Sequence, residues 1–471
     1  MKEQLSLTMI SFLSNIIWEN GEKIPYESDS LSFLYSLLVV AGILSVIFVS
    51  AFKLYKRGIP LKDFMNGIYI SLPVGIIGAS IFGKLGSSGD QWKLYMLIFF
   101  WEPGMSFFGS MLCGGTAAFL WLWHKSRYTK ISIYVYADCI VPNILLGQSI
   151  GRWGNLFNHE ILGREVHDLN KINWLPDFIW HRLFYFKDLT TSSELETLQF
   201  REPLFLYESF ATLLLWILIT FVFANLWKVI SKKPWKVDPE NFPCKWNKSF
   251  KSIYEKDLKS YNTQTTIEYL KDKDGKLYLS TSWAWKKAYT LYEPPKDLVE
   301  KAQEKIEKRK ILAIKAKQKY QSIIRKNNEE IEKQRVKLKS NKITKQEFYN
   351  FKSELKKSSK VELQKLKLEK NQLVVFLKSD SKELYEINNP NNYKIIHSGV
   401  LAGIYILGYT IIRLILDQLR NPYELTVKDN VVLNYLFLAG FLLLGLAVII
   451  FAQFIAPKKW REEGWLYEKS Y

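Results

Sequence analysis

The run Val431-Val-Leu-Asn-Tyr-Leu-Phe-Leu-Ala-Gly-Phe-Leu-Leu-Leu-Gly-Leu-Ala-Val-Ile-Ile-Phe-Ala-Gln-Phe-Ile-Ala456 holds no Asp, Glu, Lys or Arg. About 20 mostly apolar residues suffice to carry a helix across the hydrocarbon layer of a bilayer. Lipid offers no hydrogen-bond partners, so such a run satisfies its backbone only as a helix. Six further runs of this kind precede it: Leu31–Phe52, Asn66–Leu85, Gly104–Trp123, Ile131–Ile150, Pro203–Trp227 and Ile396–Leu416. The predicted fold is an all-α integral membrane protein with about seven transmembrane helices. Leu94–Trp101 is apolar but too short to span, and reads as re-entrant or interfacial. Leu5–Trp18 lacks the basic start of a signal peptide and no small-residue cleavage site follows, so 1–30 reads as an amphipathic segment on the outer surface.

The formal net charge of +19 is unevenly spread. Residues 231–394 carry 40 Lys and Arg against 22 Asp and Glu, nearly all of the excess. Basic residues also flank the apolar runs: Lys53, Lys56, Arg57 and Lys62 after the first; Lys125, Arg127 and Lys130 after the third; Lys228, Lys232 and Lys233 after the fifth; Lys458, Lys459 and Arg461 after the seventh. With seven spans all four groups fall on one side, which the positive-inside rule makes cytoplasmic. The expected organisation is therefore an outer N-terminus (1–30), spans one to five (31–227) with an outer loop (151–202), a basic cytoplasmic insertion (228–395), spans six and seven (396–456) and a cytoplasmic tail (457–471).

Within the insertion, about 296–377 is charged, helix-friendly and apolar at helical spacing. Thr344 and Glu347 have the spacing of a capping box, which would start a second helix and make an antiparallel coiled-coil hairpin. Upstream, Asp274-Gly275 lies between short alternating runs, a type I′ hairpin signal, so 237–294 reads as a small α+β piece. The excess positive charge suggests contact with anionic lipid of the inner leaflet. No specific nucleic acid is expected, because the charges are mixed along a helix rather than clustered with aromatics.

Charges at membrane depth are costly and mark function when they gather. Each of those here, taken singly, reads as an ordinary helix end. Three clusters nevertheless fall on the same outer side. The fourth span ends in Gly147-Gln-Ser-Ile-Gly-Arg-Trp-Gly-Asn-Leu-Phe-Asn-His-Glu-Ile-Leu-Gly163, the fifth begins Pro203-Leu-Phe-Leu-Tyr-Glu208, and the sixth ends Tyr409-Thr-Ile-Ile-Arg-Leu-Ile-Leu-Asp-Gln-Leu-Arg420. Arg413, Asp417 and Arg420 share one helix face. A guanidinium fork matches phosphate oxygens, and the phosphate at that depth is a lipid headgroup. Cys113, Cys139 and Cys244 are scattered, with neither disulfide nor zinc spacing. No paired inverted halves or string of intramembrane acids points to a transporter.

The 151–163 run resembles the signature Gly-Arg-x-Gly-Asn-Phe-x-Asn-x-Glu-x-x-Gly of bacterial prolipoprotein diacylglyceryl transferases. The 203–208 and 409–420 runs resemble that family's Pro-x-Gln-Leu-Tyr-Glu and Tyr-Gly-x-x-Arg-Phe-x-x-Glu-x-x-Arg, and 101–110 resembles its Gly-Gly-Met-Ser-Phe-His-Gly-Gly. Tyr35 stands where the family has a functional tyrosine in its first span. The resemblance covers roughly 30–230 and 395–456. It implies transfer of the diacylglyceryl group of phosphatidylglycerol to the lipobox cysteine of a preprolipoprotein signal peptide, with no metal or redox cofactor. It implies that Arg152, Arg413 and Arg420 hold the phosphate, that Tyr35, Asn155 and Asn158 orient the headgroup, and that Glu160, Glu208 and Asp417 orient arginines or accept a proton. Two positions depart from the family: Phe108 replaces its histidine and Ser80 an arginine. His159, within the signature between Asn158 and Glu160, is the candidate to accept the thiol proton instead, its plainer role being to cap or pack the fourth span. The departures leave a second reading open, a weakened or inactive relative that binds lipid or lipoprotein precursors.

The charge distribution yields a direct check on orientation. A membrane-impermeant thiol reagent added outside the cell is expected to label cysteines introduced in 165–200 and to miss those in 240–390. Labelling in the 300s overturns the assignment.

Overall fold

The computed structural model describes residues 32–57, 59–85, 107–129, 131–158, 161–172, 174–180, 182–186, 198–244, 269–273, 275–290, 295–370, 387, 389–420, 425 and 430–459. The N-terminal amphipathic segment and the 94–101 run lie outside the described residues. The chain forms two compact units: Met1–Thr290 with Lys394–Gln453 and Trp465–Tyr471, and Leu291–Tyr393 with Phe454–Gly464.

The protein is an all-α integral membrane protein. Among the described residues six helices are long and apolar enough to cross a bilayer: Phe33–Lys56, Leu61–Lys84, Ile133–Phe157, Leu204–Val237, Val400–Leu419 and Val431–Ile455. The remaining expected span is the helix Phe107–Thr129 (α3), whose glycines and polar residues lower its mean hydropathy. It lies antiparallel along α2 (Leu61–Leu85): Gly67 faces Trp121, Gly75 faces Ser110 and Gly114, and Gly78 faces Gly109 and Cys113. A helix packed along the whole length of a span shares its depth. Small residues permit that approach, since a Cβ on Gly78 would lie 2.5 Å from Cys113 Cβ. At one end of the pair Asp63 accepts from Trp121 Nε1 through its carbonyl and pairs with Lys125 through its carboxylate.

The first span is α1 (Ser32–Lys56). It crosses the fourth span where a Cβ on Gly42 would sit 2.7 Å from Gly147 O. The fourth span is not one continuous helix. Pro142 lacks an N–H, and the chain passes from α4 (Ile133–Ile140) through a 3₁₀ turn at Val141–Asn143 to α5 (Ile144–Arg152). Asn143 makes the break good. Its Nδ2 donates to Cys139 O (2.6 Å) and Ser50 Oγ (3.0 Å), and its Oδ1 accepts from Lys53 Nζ (2.7 Å) and Trp216 Nε1 (3.1 Å). Lys53 also reaches Thr220 Oγ1 in a π-helical turn of the fifth span, Leu218–Phe223, which follows α6 (Leu204–Ile217).

The later helices are α10 (Val400–Leu416) and α11 (Val431–Ile450). The N-terminus of α10 is capped from another span: Asp138 accepts the N–H groups of Gly399 (2.9 Å) and Ala402 (3.0 Å). This places a carboxylate at the positive end of a helix, where its charge is favourable. Gly399 has φ +99, a conformation that suits glycine, and its missing Cβ leaves room for Tyr134.

Between the spans, the insertion opens against the end of the fifth helix. Trp285, on α7 (Thr281–Thr290), meets Trp227 and Trp235 edge to face. Lys287 on the same helix is buried, donates to Asn241 O (2.6 Å) and lies over the rings of Phe242 and Tyr269; burial lowers its pKa to about 8. The β-hairpin β3 (Leu270–Lys271) and β4 (Leu277–Tyr278) forms. Its turn is not the type I′ expected. Gly275 N–H bonds to Asp272 O, Asp272 N–H bonds to Lys276 O, and Gly275 has φ +73. These bonds close a loop one residue longer than a two-residue turn, with a left-handed glycine at its end.

The second unit is a helical hairpin of α8 (Lys296–Lys339) and α9 (Lys345–Lys370). Its helices are antiparallel, since Lys319 pairs with Glu362 and Asn327 Nδ2 donates to Ser359 Oγ. The capping box forms: Glu347 N–H donates to Thr344 Oγ1 (3.3 Å) and Glu347 Oε2 accepts from Thr344 N–H (2.8 Å). Residues 371–377 of the expected hairpin lie outside the described residues.

Candidate active site

The three polar clusters singled out in the sequence converge on one carboxylate. Glu208 stands one turn into α6 and its side chain has no exposed surface. Arg152, the last residue of α5, donates from Nη2 to Glu208 Oε1 at 2.8 Å. Arg420, just past the 3₁₀ turn that ends the sixth span, donates from Nη2 to Glu208 Oε2. Arg413 Nη1 lies 3.8 Å from Oε1, and Tyr409 donates its hydroxyl to the same oxygen at 3.3 Å. Asp417 forms the second layer, with Oδ1 2.9 Å from Arg413 Nη2 and 3.4 Å from Arg420 Nε. The i, i+4 and i+7 spacing on the sixth helix is what aims these three side chains one way.

Burial makes this arrangement energetically demanding. A carboxylate removed from water is retained only with close opposite charge and filled hydrogen-bond sites. Glu208 meets that condition with three arginines and a tyrosine. Among the described residues the cluster holds three guanidinium groups and two carboxylates, and so one net positive charge. Nε of Arg152 is buried and makes no hydrogen bond, while Nε of Arg420 has only its 3.4 Å contact with Asp417 Oδ1. A buried guanidinium donor without an acceptor, beside an excess positive charge, is an environment that favours an anion.

The surrounding frame comes from the signature. Ser209 on α6 donates to Ser149 O (2.8 Å), with the two hydroxyls 3.1 Å apart, which ties α5 to α6 one turn from Arg152 and Glu208. Asn155 is buried on the short helix Gly154–Phe157, and Asn158, half-buried, ends it. Tyr35 packs on Gly154, where a Cβ would lie 2.9 Å from its ring. The chain beyond forms a cap whose core is Leu156, Leu162, Val166, Ile172, Leu175, Ile179, Leu183, Phe200, Phe205 and Leu206. It includes the strands β1 (Phe184–Phe186) and β2 (Leu198–Phe200). Arg164 ties this cap to the sixth span by donating to Gln418 O (3.0 Å).

The geometry thus brings Arg152, Glu208, Arg413, Asp417 and Arg420 together and sets Tyr35 and Asn155 on the adjoining frame. His159 and Glu160 lie outside the described residues, as does the 101–106 part of the Met-Ser motif. Phe108 falls in α3. Two participants went unread in the sequence. Tyr409 opens a quoted motif, yet its bond to Glu208 needs the tertiary arrangement. Asn434, on the seventh span, is fully buried and donates from Nδ2 to Asp417 Oδ2 at 3.1 Å. A polar residue in an otherwise apolar run was its only signal. Ser80 and Lys84, one turn apart near the end of α2, are also buried, so a cation is present one turn beyond the position where the resembling family carries arginine.

Comparison with known proteins finds relatives for part of the chain. Residues 32–237 match the model of the prolipoprotein diacylglyceryl transferase family. A phosphatidylglycerol–prolipoprotein diacylglyceryl transferase of Streptococcus equi subsp. equi is 28% identical over 199 residues, covering 41% of this chain and 66% of that protein. Those of Streptococcus mutans serotype c and Lactococcus lactis subsp. cremoris are each 30% identical, over 40% and 39% of this chain and 64% of each relative. The chain thus spans just under two thirds of the relatives it matches. The insertion beyond residue 237 and the last two spans fall outside the match to the family model.

Glu208→Gln is expected to leave three guanidinium groups facing a neutral amide. Loss of one partner of a buried ion pair costs about 3–5 kcal/mol, so thermal unfolding in nanodiscs should move down sharply. Arg152→Lys keeps the charge and loses the fork, and should unfold nearer the parent temperature. An unchanged unfolding temperature in Glu208→Gln would remove Glu208 from the centre of this network.

Proposed function

We propose that this chain, whose first five spans match the prolipoprotein diacylglyceryl transferases, moves the diacylglyceryl group of phosphatidylglycerol onto the lipobox cysteine of preprolipoproteins. The observation that carries this reading is the buried cluster with one net positive charge and, at Arg152 Nε, a guanidinium donor without an acceptor. A phosphodiester carries one negative charge and presents oxygens at the spacing of the guanidinium fork. Phosphatidylglycerol is such a diester at membrane depth.

In the proposed step the cysteine sulfur attacks the glyceryl CH₂ that bears the phosphate. A C–S bond forms, the C–O bond to phosphate breaks, and glycerol phosphate leaves with the electron pair. The thiol must lose its proton, because the thiolate is the nucleophile. The leaving phosphate gains one unit of negative charge unless it takes that proton. Arg152, Arg413 and Arg420 supply fixed positive charge where it develops, the largest single effect in many enzymes. Glu208 and Asp417 hold the guanidinium groups in place before substrate arrives, so little reorganisation accompanies the reaction. The proton balance closes on the leaving phosphate itself, through His159 as a relay or without one, so phenylalanine at 108 does not forbid the chemistry.

Orientation follows the charge distribution, with the arginine cluster at the outer face and the insertion in the cytoplasm. The helical hairpin supports an accessory contact with anionic lipid of the inner leaflet. Lys305, Lys308, Lys315, Lys319, Lys326 and Lys333 recur on one exposed face of α8 at intervals of three, four or seven residues. Each basic residue near an anionic surface contributes about 1 kcal/mol. A fluorophore on Lys315→Cys of the full chain should become shielded in nanodiscs containing anionic lipid and stay exposed in neutral ones. Equal exposure in both would leave the hairpin as a solvated arm.

The transferase reading is tested with the purified full chain, phosphatidylglycerol carrying labelled acyl chains, and a lipobox peptide. The expected product is the peptide with a diacylglyceryl thioether, absent when the cysteine is replaced by serine. Arg152→Gln and Arg413→Gln should each abolish it. His159→Ala should lose activity if the histidine relays the proton, and keep it if the phosphate takes the proton directly. Binding of phosphatidylglycerol without any product would favour the second reading, an inactive relative.

A further inference from the structure

We infer that Asn434 of the seventh span is a positioning and specificity-determining residue, which sets the site to accept a singly charged phosphodiester. The inference rests on the transferase reading for its substrate and on separate geometry for its logic.

Asn430 caps the seventh helix, accepting from Leu433 N–H through its side chain at 2.9 Å. Asn434 follows one turn later, within an otherwise apolar helix face, and has no exposed surface. Its Nδ2 lies 3.1 Å from Asp417 Oδ2, in a fully buried contact. The ionised carboxylate only accepts hydrogen bonds, so the amide must present its NH₂. Asp417 Oδ1 meanwhile faces Arg413 and Arg420. Asn434 therefore fixes the plane of the carboxylate that orients two of the three arginines, from a helix that contributes no charge to the cluster.

The neutrality of this residue is the point. Arg152, Arg413 and Arg420 against Glu208 and Asp417 leave one positive charge, and Tyr409 adds a neutral hydroxyl. An aspartate at 434 has nearly the same shape. It would place a second carboxylate beside Asp417 and cancel the excess charge when both are ionised. Carboxylates this close cannot readily both ionise, so one pKa of the pair rises and the pair takes up a proton as pH falls. With that proton the pair regains a donor and the cluster regains its charge. An apolar residue at 434 would instead leave Asp417 Oδ2 without its donor at every pH.

The test measures phosphatidylglycerol affinity and KM for the full chain in nanodiscs of neutral lipid. Asn434→Asp is expected to weaken binding at least tenfold at pH 7.5, chiefly through KM, and to recover most of it near pH 5. Asn434→Leu should weaken binding to a similar degree at both pH values. The swapped pair Asp417→Asn with Asn434→Asp restores the net charge and a donor–acceptor contact, and should bind better than Asn434→Asp alone at pH 7.5. Parent-like affinity of Asn434→Asp at pH 7.5 would overturn the inference. So would parallel, pH-independent losses in Asn434→Asp and Asn434→Leu, the mark of a packing role. If Asn434→Asp does not fold, the swapped pair decides: no better binding than Asn434→Leu counts against the proposal. A parent protein that binds phosphatidylglycerol but transfers nothing would sink the transferase reading alone, since the binding readout stands apart from turnover.

Discussion

A buried carboxylate with no access to water has to be answered by charge from its surroundings, and Glu208 is answered from two neighbouring spans at once. Arg152 arrives from the end of the fourth span, and Arg413 and Arg420 from the sixth, while Glu208 itself stands on the fifth. Removing water from these groups costs several kcal/mol per ion, and only close geometry returns that energy. The demand for closeness explains much of the local architecture. Ser149 and Ser209 lock the fourth and fifth helices one turn away, and the cap over Leu156 and Phe205 holds the signature against them. Close packing of these helices is what brings all three guanidinium groups within reach of Glu208.

The opposite end of the bundle follows the same rule with different chemistry. Asn143 fills all four of its hydrogen-bond positions where Pro142 interrupts the fourth span, and Lys53 bridges it to Thr220 in the fifth. Asp138 caps the sixth helix from the fourth. Polar groups in lipid find partners on neighbouring helices because none is available elsewhere. The two ends thus pin the same helices, which leaves the apolar middle free to pack by shape, with glycines at Gly42 and Gly147 setting the separation.

What could be read in the sequence divides along the range of the forces involved. Span positions depend on local hydropathy, and the runs ending at Phe52, Leu85 and Ala456 announce helices without reference to anything distant. The capping box at Thr344 and Glu347 is likewise local, and it forms. Arg413, Asp417 and Arg420 could be grouped because helical periodicity alone puts them on one face. Glu208 could be named but not made central, since its partners lie 56 and 212 residues away in the chain. Asn434 escaped notice because a single asparagine in an apolar run has no periodic partner. The β-hairpin was legible from Asp274-Gly275 while its loop length was not, because a left-handed glycine serves both two-residue and three-residue turns. The helix Phe107–Thr129 shows the converse: composition understates it, and its tight contact with the second span supplies what hydropathy omits.

The position of the insertion in the chain has a consequence for how the protein is made. Glu208 leaves the ribosome 56 residues after Arg152, whereas Arg413 and Arg420 follow Glu208 by roughly 200 residues, after the whole hairpin. At about 5–20 residues per second that interval lasts roughly 10–40 s. Throughout it the fifth span sits in or beside the membrane with its glutamate matched by one arginine instead of three. The first five helices must then persist as an electrostatically unfinished assembly, held by Ser149–Ser209, the Gly42–Gly147 crossing and the Asn143 network, until the last hairpin of helices closes around the carboxylate. Biogenesis of this protein accordingly contains a waiting period set by the length of the insertion, during which the nascent bundle is a natural client for whatever factors shield polar groups in the bilayer.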